Sequence, residues 1–165
     1  MFLIATRTAN KVSGLLEGSD GIAAAVTSLS SELGLILPEL GSRQIVTLTV
    51  TPEISERSTA IKYPLLYVYC TKLVNDLREK FRRFSGEAQM VVEARVSLDR
   101  LEQMNLHLHA YVDAITQVLD NSRGDWGDGV LYCGGYEVSF GAIKQGGRNF
   151  IQAAKVSFVL EISSD

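Results

Sequence analysis

The stretch that decides the fold is Ala88-Gln-Met-Val-Val-Glu-Ala-Arg-Val-Ser-Leu98, which runs directly into a long helical pattern. Apolar residues at every second position, from Met90 to Leu98, alternate with Gln89, Glu93, Arg95 and Ser97, and only Val91 breaks the pattern. A period of two is typical of a strand that buries one face. Residues 88–98 are therefore predicted to form a strand.

A long amphipathic helix is predicted directly after this strand, over residues 99–121. Its apolar residues recur every three or four positions and so share one face. They are Leu101, Met104, Leu108, Tyr111, Val112, Ile115, Val118 and Leu119. Asp99 and Glu102 have the D-x-x-E spacing of a capping box. We expect the apolar stripe to pack against the sheet that contains the 88–98 strand.

Two N-terminal helices and two further strands are predicted upstream of this unit. The helices cover residues 2–17 and 20–33, the second with Ser19 or Asp20 as its cap and Gly34 just past its end. The strands cover residues 44–50 and 65–74. The segment Thr51–Pro64 between these strands is polar and longer than hairpin connections usually are.

The C-terminal part predicts a hairpin of two long strands, 130–141 and 149–162. Its turn contains Lys144–Arg148, in which the Gly146-Gly147 pair supplies the positive backbone angles of a tight turn. Strands grouped between helices indicate an α+β fold. We expect one domain over 1–165, with a mainly antiparallel mixed sheet of about five strands packed against the long helix and the N-terminal helices.

Composition excludes several classes of protein. The 165 residues carry a net charge of −3, which argues against a dedicated nucleic-acid binder. Cys70 and Cys133 are too few for a disulfide framework or a zinc site, and both are expected to be small buried hydrophobes. The apolar run that starts at Met1 stops at Thr6, too early for a signal peptide or a membrane span, so no membrane partner is expected.

No convincing active site follows from the sequence. His107 and His109 are two positions apart on one helix and point in different directions, so they cannot share a metal ion. Asp120, Asp125 and Asp128 lack the spacing of a calcium loop and are interpreted as a solvated turn. The glycines of 124–147 match no phosphate-binding motif. We predict no catalytic residue, no cofactor and no metal.

One basic run remains, Leu77-Arg-Glu-Lys-Phe-Arg-Arg-Phe84. Basic residues interleaved with aromatic ones can bind single-stranded nucleic acid. One short run in an acidic chain is a weak signal for that function. A solvated connection, or a subunit contact through the two phenylalanines, is the preferred interpretation.

The C-terminal half resembles the tail terminator and related tail-completion proteins of long-tailed bacteriophages. The resemblance covers residues 85–162 and is carried by short segments: Tyr111-Val-Asp-Ala-Ile-Thr-Gln-Val-Leu119, then Trp126, then Tyr132-Cys-Gly-Gly-Tyr-Glu-Val138, then Gly146-Gly-Arg-Asn-Phe-Ile-Gln-Ala-Ala-Lys-Val156. The first half is similar only in the order of its elements, and the helix at 20–33 departs from the simplest family pattern.

The resemblance implies a homo-hexameric ring in the tail or neck of a virion, assembled in the host cytoplasm. Its partners would be the tail tube protein and the head-tail connector or stopper protein, with DNA passing through the lumen unread. Charged residues in the long connection and in the hairpin turn are candidate contacts between subunits or rings. They are Glu53, Glu56, Arg57, Lys62, Lys144 and Arg148. The alternative for the connection is an exposed loop without a partner.

Two other functions stay open at this point. One is a different ring of the head-tail connector, such as a stopper. The other is a small α+β enzyme or ligand-binding module that uses the glycine-rich hairpin, which predicts a deep pocket with convergent polar groups. Asp125, Asp128 and His107 would then be the residues to substitute.

Overall fold

An eight-stranded mixed sheet with three α-helices packed against it forms the body of the protein in a computed structural model, which describes residues 3–47 and 62–165. The helices are α1 (Ile4–Glu17), α2 (Ile22–Leu33) and α3 (Leu101–Asn121), with a short 3-10 helix at Ser42–Gln44. The strands are β1 (Ile45–Thr47), β2 (Leu65–Asn75), β3 (Phe84–Leu98), β4 (Gly124–Asp125), β5 (Val130–Tyr132), β6 (Glu137–Phe140), β7 (Lys144–Gly146) and β8 (Asn149–Ser164).

Two long strands form the centre of the sheet. β3 and β8 pair antiparallel over their whole length, from Phe84 opposite Ser164 to Leu98 opposite Phe150. β2 pairs antiparallel with the other side of β3, and β1 adds parallel to β2. The other side of β8 is covered by β5, β6 and β7 in succession, and β4 adds to β5. The predicted α+β class with a mainly antiparallel mixed sheet is confirmed.

The main core lies between the helices and one face of the sheet. Even-numbered residues of β3, such as Met90 and Val92, lie beside Phe158 and Val156 of β8 and are fully buried. The α3 stripe meets them through Met104, Leu108, Tyr111, Ile115 and Leu119, all fully buried. The alternation read from the sequence is therefore confirmed for this face.

The hairpin is more broken than the sequence predicts. Residues 130–141 form two short strands instead of one, because Gly134 and Gly135 both have positive φ angles and interrupt the pairing. The turn itself contains one positive φ angle, 72° at Gly147, and not a pair. Positive φ at only the first of two turn residues is the pattern of a type II′ hairpin.

Both predicted helix caps are wrong. Helix α3 begins after Arg100 with no side-chain cap, so Asp99 and Glu102 do not form a capping box. Helix α2 begins after Gly21, also uncapped by a side chain, and not after Ser19 or Asp20. At its other end, Gly34 takes the left-handed conformation with a φ of 63°, as the sequence predicts.

The prediction of two buried cysteines is also wrong. Cys133 is exposed because it lies outside the paired strands, directly before Gly134 and Gly135, whose positive φ angles interrupt the pairing. Cys70 is half-buried at the end of a buried run in β2, where the strand pairing shifts register. Both thiols are free.

Candidate functional site

The predicted contact residues gather at one end of the sheet, as far as the structure describes them. Lys62 precedes the start of β2, and Lys144 and Arg148 lie in and beside the β7–β8 hairpin. All three are exposed. The strand register places the start of β2 and the start of β8 at the same end of β3. Glu53, Glu56 and Arg57 lie outside the described residues, and their predicted role stays a prediction.

A buried polar cluster lies on the sheet face opposite the main core. Glu93 and Arg95 are almost fully buried, and their side chains form an ion pair with an Nη2–Oε1 distance of 3.3 Å. The hydroxyl of Tyr69 donates a hydrogen bond of 3.3 Å to the other oxygen of Glu93. The Arg95 guanidinium also lies 5.6 Å from the ring centre of Tyr67. Burial of a charged pair at mid-strand requires such partners.

An open groove of about 1200 Å³ borders this cluster. Tyr69 and Glu93 contribute to one wall, Lys155 and Ser157 of β8 line it beside them, and the kinked Gly134 faces it as well. The groove combines an acid, a base and hydroxyl groups. That combination is suited to holding a polar ligand or a polar segment of protein.

The β2–β3 connection, residues 76–83, is a loop held in a strained shape. Leu77 and Phe81 have positive φ angles of 50° and 69°, which bulky residues rarely adopt. Phe81 is fully exposed, and Leu77 is more than half exposed. Such outliers persist only where surrounding contacts impose them, and they are common at functional positions.

Hydrogen bonds and ion pairs on both sides of Phe81 hold this 76–83 loop. Arg78 pairs with Asp76 at 2.8 Å and with Glu87, and these hydrogen bonds raise the pKa of its guanidinium above the ordinary value. Arg82 pairs with Glu79 and with Asp165. Several further hydrogen bonds join the loop to neighbouring strands: Arg83 N–H to Ser164 O, Asn75 Nδ2 to Arg83 O, Glu79 N–H to Ser85 Oγ and Ser163 Oγ to Glu79 Oε2.

A second apolar surface, the aromatic strip, consists of the exposed Tyr136 and Phe140 with the partly buried Val138 between them. The register of β6 against β8 puts Val138 and Phe140 on the helix side of the sheet, and Val138 packs against the core. The rings of Phe140 and His109 have centroids 4.7 Å apart, and the hydroxyl of Tyr136 donates to Asp120 at 3.2 Å. The strip therefore lies along the exposed flank of α3.

The remaining candidate groups are spread over the surface. Burial lowers the pKa of the half-buried His107 below its ordinary value. The carboxylate of Asp125 accepts a hydrogen bond from the backbone N–H of Gly127. Asp128 pairs with Lys11 of α1 at 2.9 Å, and this hydrogen bond lowers the pKa of the carboxyl. Within 3–47 and 62–165, no three His, Cys, Asp or Glu side chains group as metal ligands.

Sequence reasoning found the basic run but missed the geometry of the 76–83 loop and the aromatic strip. The loop's exposed Phe81 could not be separated from its buried neighbour Phe84, because both are phenylalanines beside arginines. The sequence predicts one long strand over 130–141, which does not distinguish Tyr136 and Phe140 as exposed. The signal that could have found the strip is the Gly134-Gly135 pair, which isolates β6 as a short strand at the edge of the sheet.

No protein-family profile matches this sequence, and comparison with curated proteins finds no significant relative. Among the described helices, none is both long and apolar enough to cross a lipid bilayer.

Proposed function

We propose that this chain is a structural subunit of a bacteriophage virion, a tail-terminator ring that closes the head-proximal end of the tail tube. The starting point is the resemblance over residues 85–162. Two features of that region support it: the long strand β3 leads into α3, and a glycine-kinked hairpin follows.

The observation that carries the proposal is the presence of two separate exposed apolar surfaces. One is the 76–83 loop with Phe81, and the other is the aromatic strip with Phe140. Both are held in place by neighbouring hydrogen bonds or ring contacts. A contiguous exposed apolar patch is a common mark of a protein–protein interaction site. A ring closed around a rotation axis needs two different, complementary surfaces on each subunit.

In this function the protein acts through shape and charge. The subunits form a hexamer that sits on the last layer of tail tube protein, stops tube growth and presents its other side to the head connector. Lys62, Lys144 and Arg148 share one end of the sheet and are exposed, so they can make a charge-matched contact with a neighbouring ring. DNA passes through the lumen without base contacts.

The test is imaging of the purified chain, alone and with tail tubes assembled from the cognate tube protein. Rings with six-fold symmetry and a central hole are expected, and added protein should cap tubes at one end and prevent further growth. A head-connector or stopper ring would instead bind heads before it meets a tube. Tubes that elongate normally in excess protein would exclude the terminator function.

A second candidate, a ligand-binding module, is favoured by the groove beside Glu93. It predicts that a polar small molecule raises the melting temperature of the wild type. Tyr69→Phe and Lys155→Ala should reduce that shift. Lys144→Ala should not, because Lys144 lies on β7 and does not line the groove. Asp125, Asp128 and His107 do not line the groove, so substituting them no longer tests this function.

A further inference from the structure

We propose that the 76–83 loop of one copy of this chain docks on the aromatic strip of the next copy, with Phe81 inserted against Tyr136, Val138 and Phe140. The inference rests on the proposed self-assembly and names the surfaces that would carry it.

The first argument is the shape of the loop. A fully exposed phenylalanine on a strained backbone costs free energy in the isolated subunit. Because the ion pairs of Arg78 and Arg82 already fix the backbone on either side of Phe81, little freedom is lost when the ring is buried. Preorganised aromatic side chains of this kind are typical anchors of protein interfaces.

The second argument is charge complementarity. The 76–83 loop contains four basic and two acidic residues, and Arg78 and Arg82 are already paired with carboxylates. Lys80 and Arg83 are exposed and form no ion pair within 3–47 and 62–165. They leave a positive rim around Phe81.

The aromatic strip has the opposite charge beside it. Helix α3 carries three carboxylates, Glu102, Asp113 and Asp120, and neither lysine nor arginine. Asp113 is exposed one turn from His109, which stacks on Phe140, and Asp120 contacts Tyr136. Arg123, just past the helix, neutralises part of Asp120 through a 2.8 Å ion pair. Asp113 is therefore the main group expected to meet the positive rim.

The third argument is position. The 76–83 loop lies where β8 ends, next to Ser164 and Asp165. The aromatic strip lies beside the middle of β8, on the sheet edge beyond it. The two surfaces therefore occupy different places on the sheet, and the loop of each copy can bind the strip of the next. Repetition of such a heterologous contact builds a ring.

The experiment measures self-association by sedimentation equilibrium for the wild type and four variants. Phe81→Ala is expected to weaken association at least tenfold, because a buried aromatic anchor is lost. Ile36→Ala is the matched control, since Ile36 is also almost fully exposed but lies after α2. Lys80→Glu should weaken association, and mixing it with Asp113→Lys protein should restore part of the loss. Circular dichroism checks that each variant is folded.

A cross-linking experiment tests the same contact directly. In a Cys133→Ser background, Lys80→Cys and Asp113→Cys proteins are mixed with a short thiol cross-linker. A covalent dimer is expected in the mixture at many times the yield of an Ile36→Cys and Asp113→Cys mixture. Equal yields, or unchanged association of Phe81→Ala, would overturn the proposal.

Two other outcomes also overturn it. Phe81→Asp protein that still self-associates but no longer caps tail tubes would show that the loop contacts a different protein. A wild type that stays monomeric and gives no specific cross-link would show that copies of the chain do not make this contact. If the wild type is monomeric, its ability to cap tail tubes still tests the proposed function independently of this contact.

Discussion

Replacement of Gly129 by alanine is expected to destabilise the fold strongly, while the same change at Gly147 is expected to cost little. Both glycines have a φ of 72°. A Cβ added at Gly129 would lie 1.8 Å from the backbone oxygen of Ser163, whereas at Gly147 it would meet no atom within 4 Å. The two substitutions therefore share their conformational cost and differ in steric cost.

The magnitudes follow from these geometries. A left-handed conformation costs an alanine roughly 1–2 kcal/mol. Part of this cost is offset because alanine lowers the conformational entropy of the unfolded chain relative to glycine. Gly147→Ala should lower the free energy of unfolding by about 1 kcal/mol. Gly129→Ala must also push Ser163 away and break the 2.8 Å hydrogen bond from its N–H to Gly129 O. That adds on the order of 2 kcal/mol.

The assay is urea unfolding followed by far-ultraviolet circular dichroism and by fluorescence of Trp126, the single tryptophan. Coincident transitions would justify a two-state free energy. Trp126 donates its backbone N–H to Val130 O, next to Gly129, so its emission should also report the displaced turn. Equal destabilisation by the two substitutions would refute the steric argument and leave only the conformational cost.

Three further outcomes are expected. Tyr111→Phe should lower the free energy of unfolding by about 1–2 kcal/mol, because its buried hydroxyl donates a 2.7 Å hydrogen bond to the backbone carbonyl of Pro38. Tyr136→Phe loses only an exposed hydrogen bond and should change the free energy of unfolding little in the same urea titration. Burial lowers the pKa of His107, so the unfolded state takes up the proton first as pH falls and the fold loses stability. His107→Gln should therefore lose less stability than the wild type between about pH 8 and pH 5. An equal loss in both proteins would contradict this. Desolvation, joined at the exposed Cys133 by the charge of Glu161, raises the pKa of both thiols, so labelling by a disulfide reagent should accelerate with pH. Cys133→Ser should remove the fast phase of labelling, because Cys70 is half-buried.

The parts of the fold that the sequence predicted well are those governed by one local period. Helix α3 and strand β3 were both recognised because their apolar residues repeat consistently over many positions. The second face of β3 was different. Gln89, Glu93 and Arg95 look like a solvated face, yet Glu93 and Arg95 are buried. Period-two alternation identifies a face but not what covers it, since that depends on distant parts of the chain.

The candidate site was predictable only in part, because its surfaces depend on tertiary register. Lys62 and Lys144 are far apart in sequence, and their placement at one end of the sheet follows from the pairing of β2, β3 and β8. The exposure of Phe81 depends on the backbone conformation imposed by ion pairs with Glu87 and Asp165. No local pattern encodes those partners.

The three short strands along the outer side of β8 have a consequence for solubility. A 16-residue strand with one bare side would be a template for strands of other molecules and a route to aggregation. Here β5, β6 and β7 pair with successive parts of that side, and none of these strands exceeds four residues within the described chain. A strand of another molecule that pairs with one of these short strands could form only a few hydrogen bonds before the pairing ends. This arrangement limits edge-to-edge stacking on that side of the sheet.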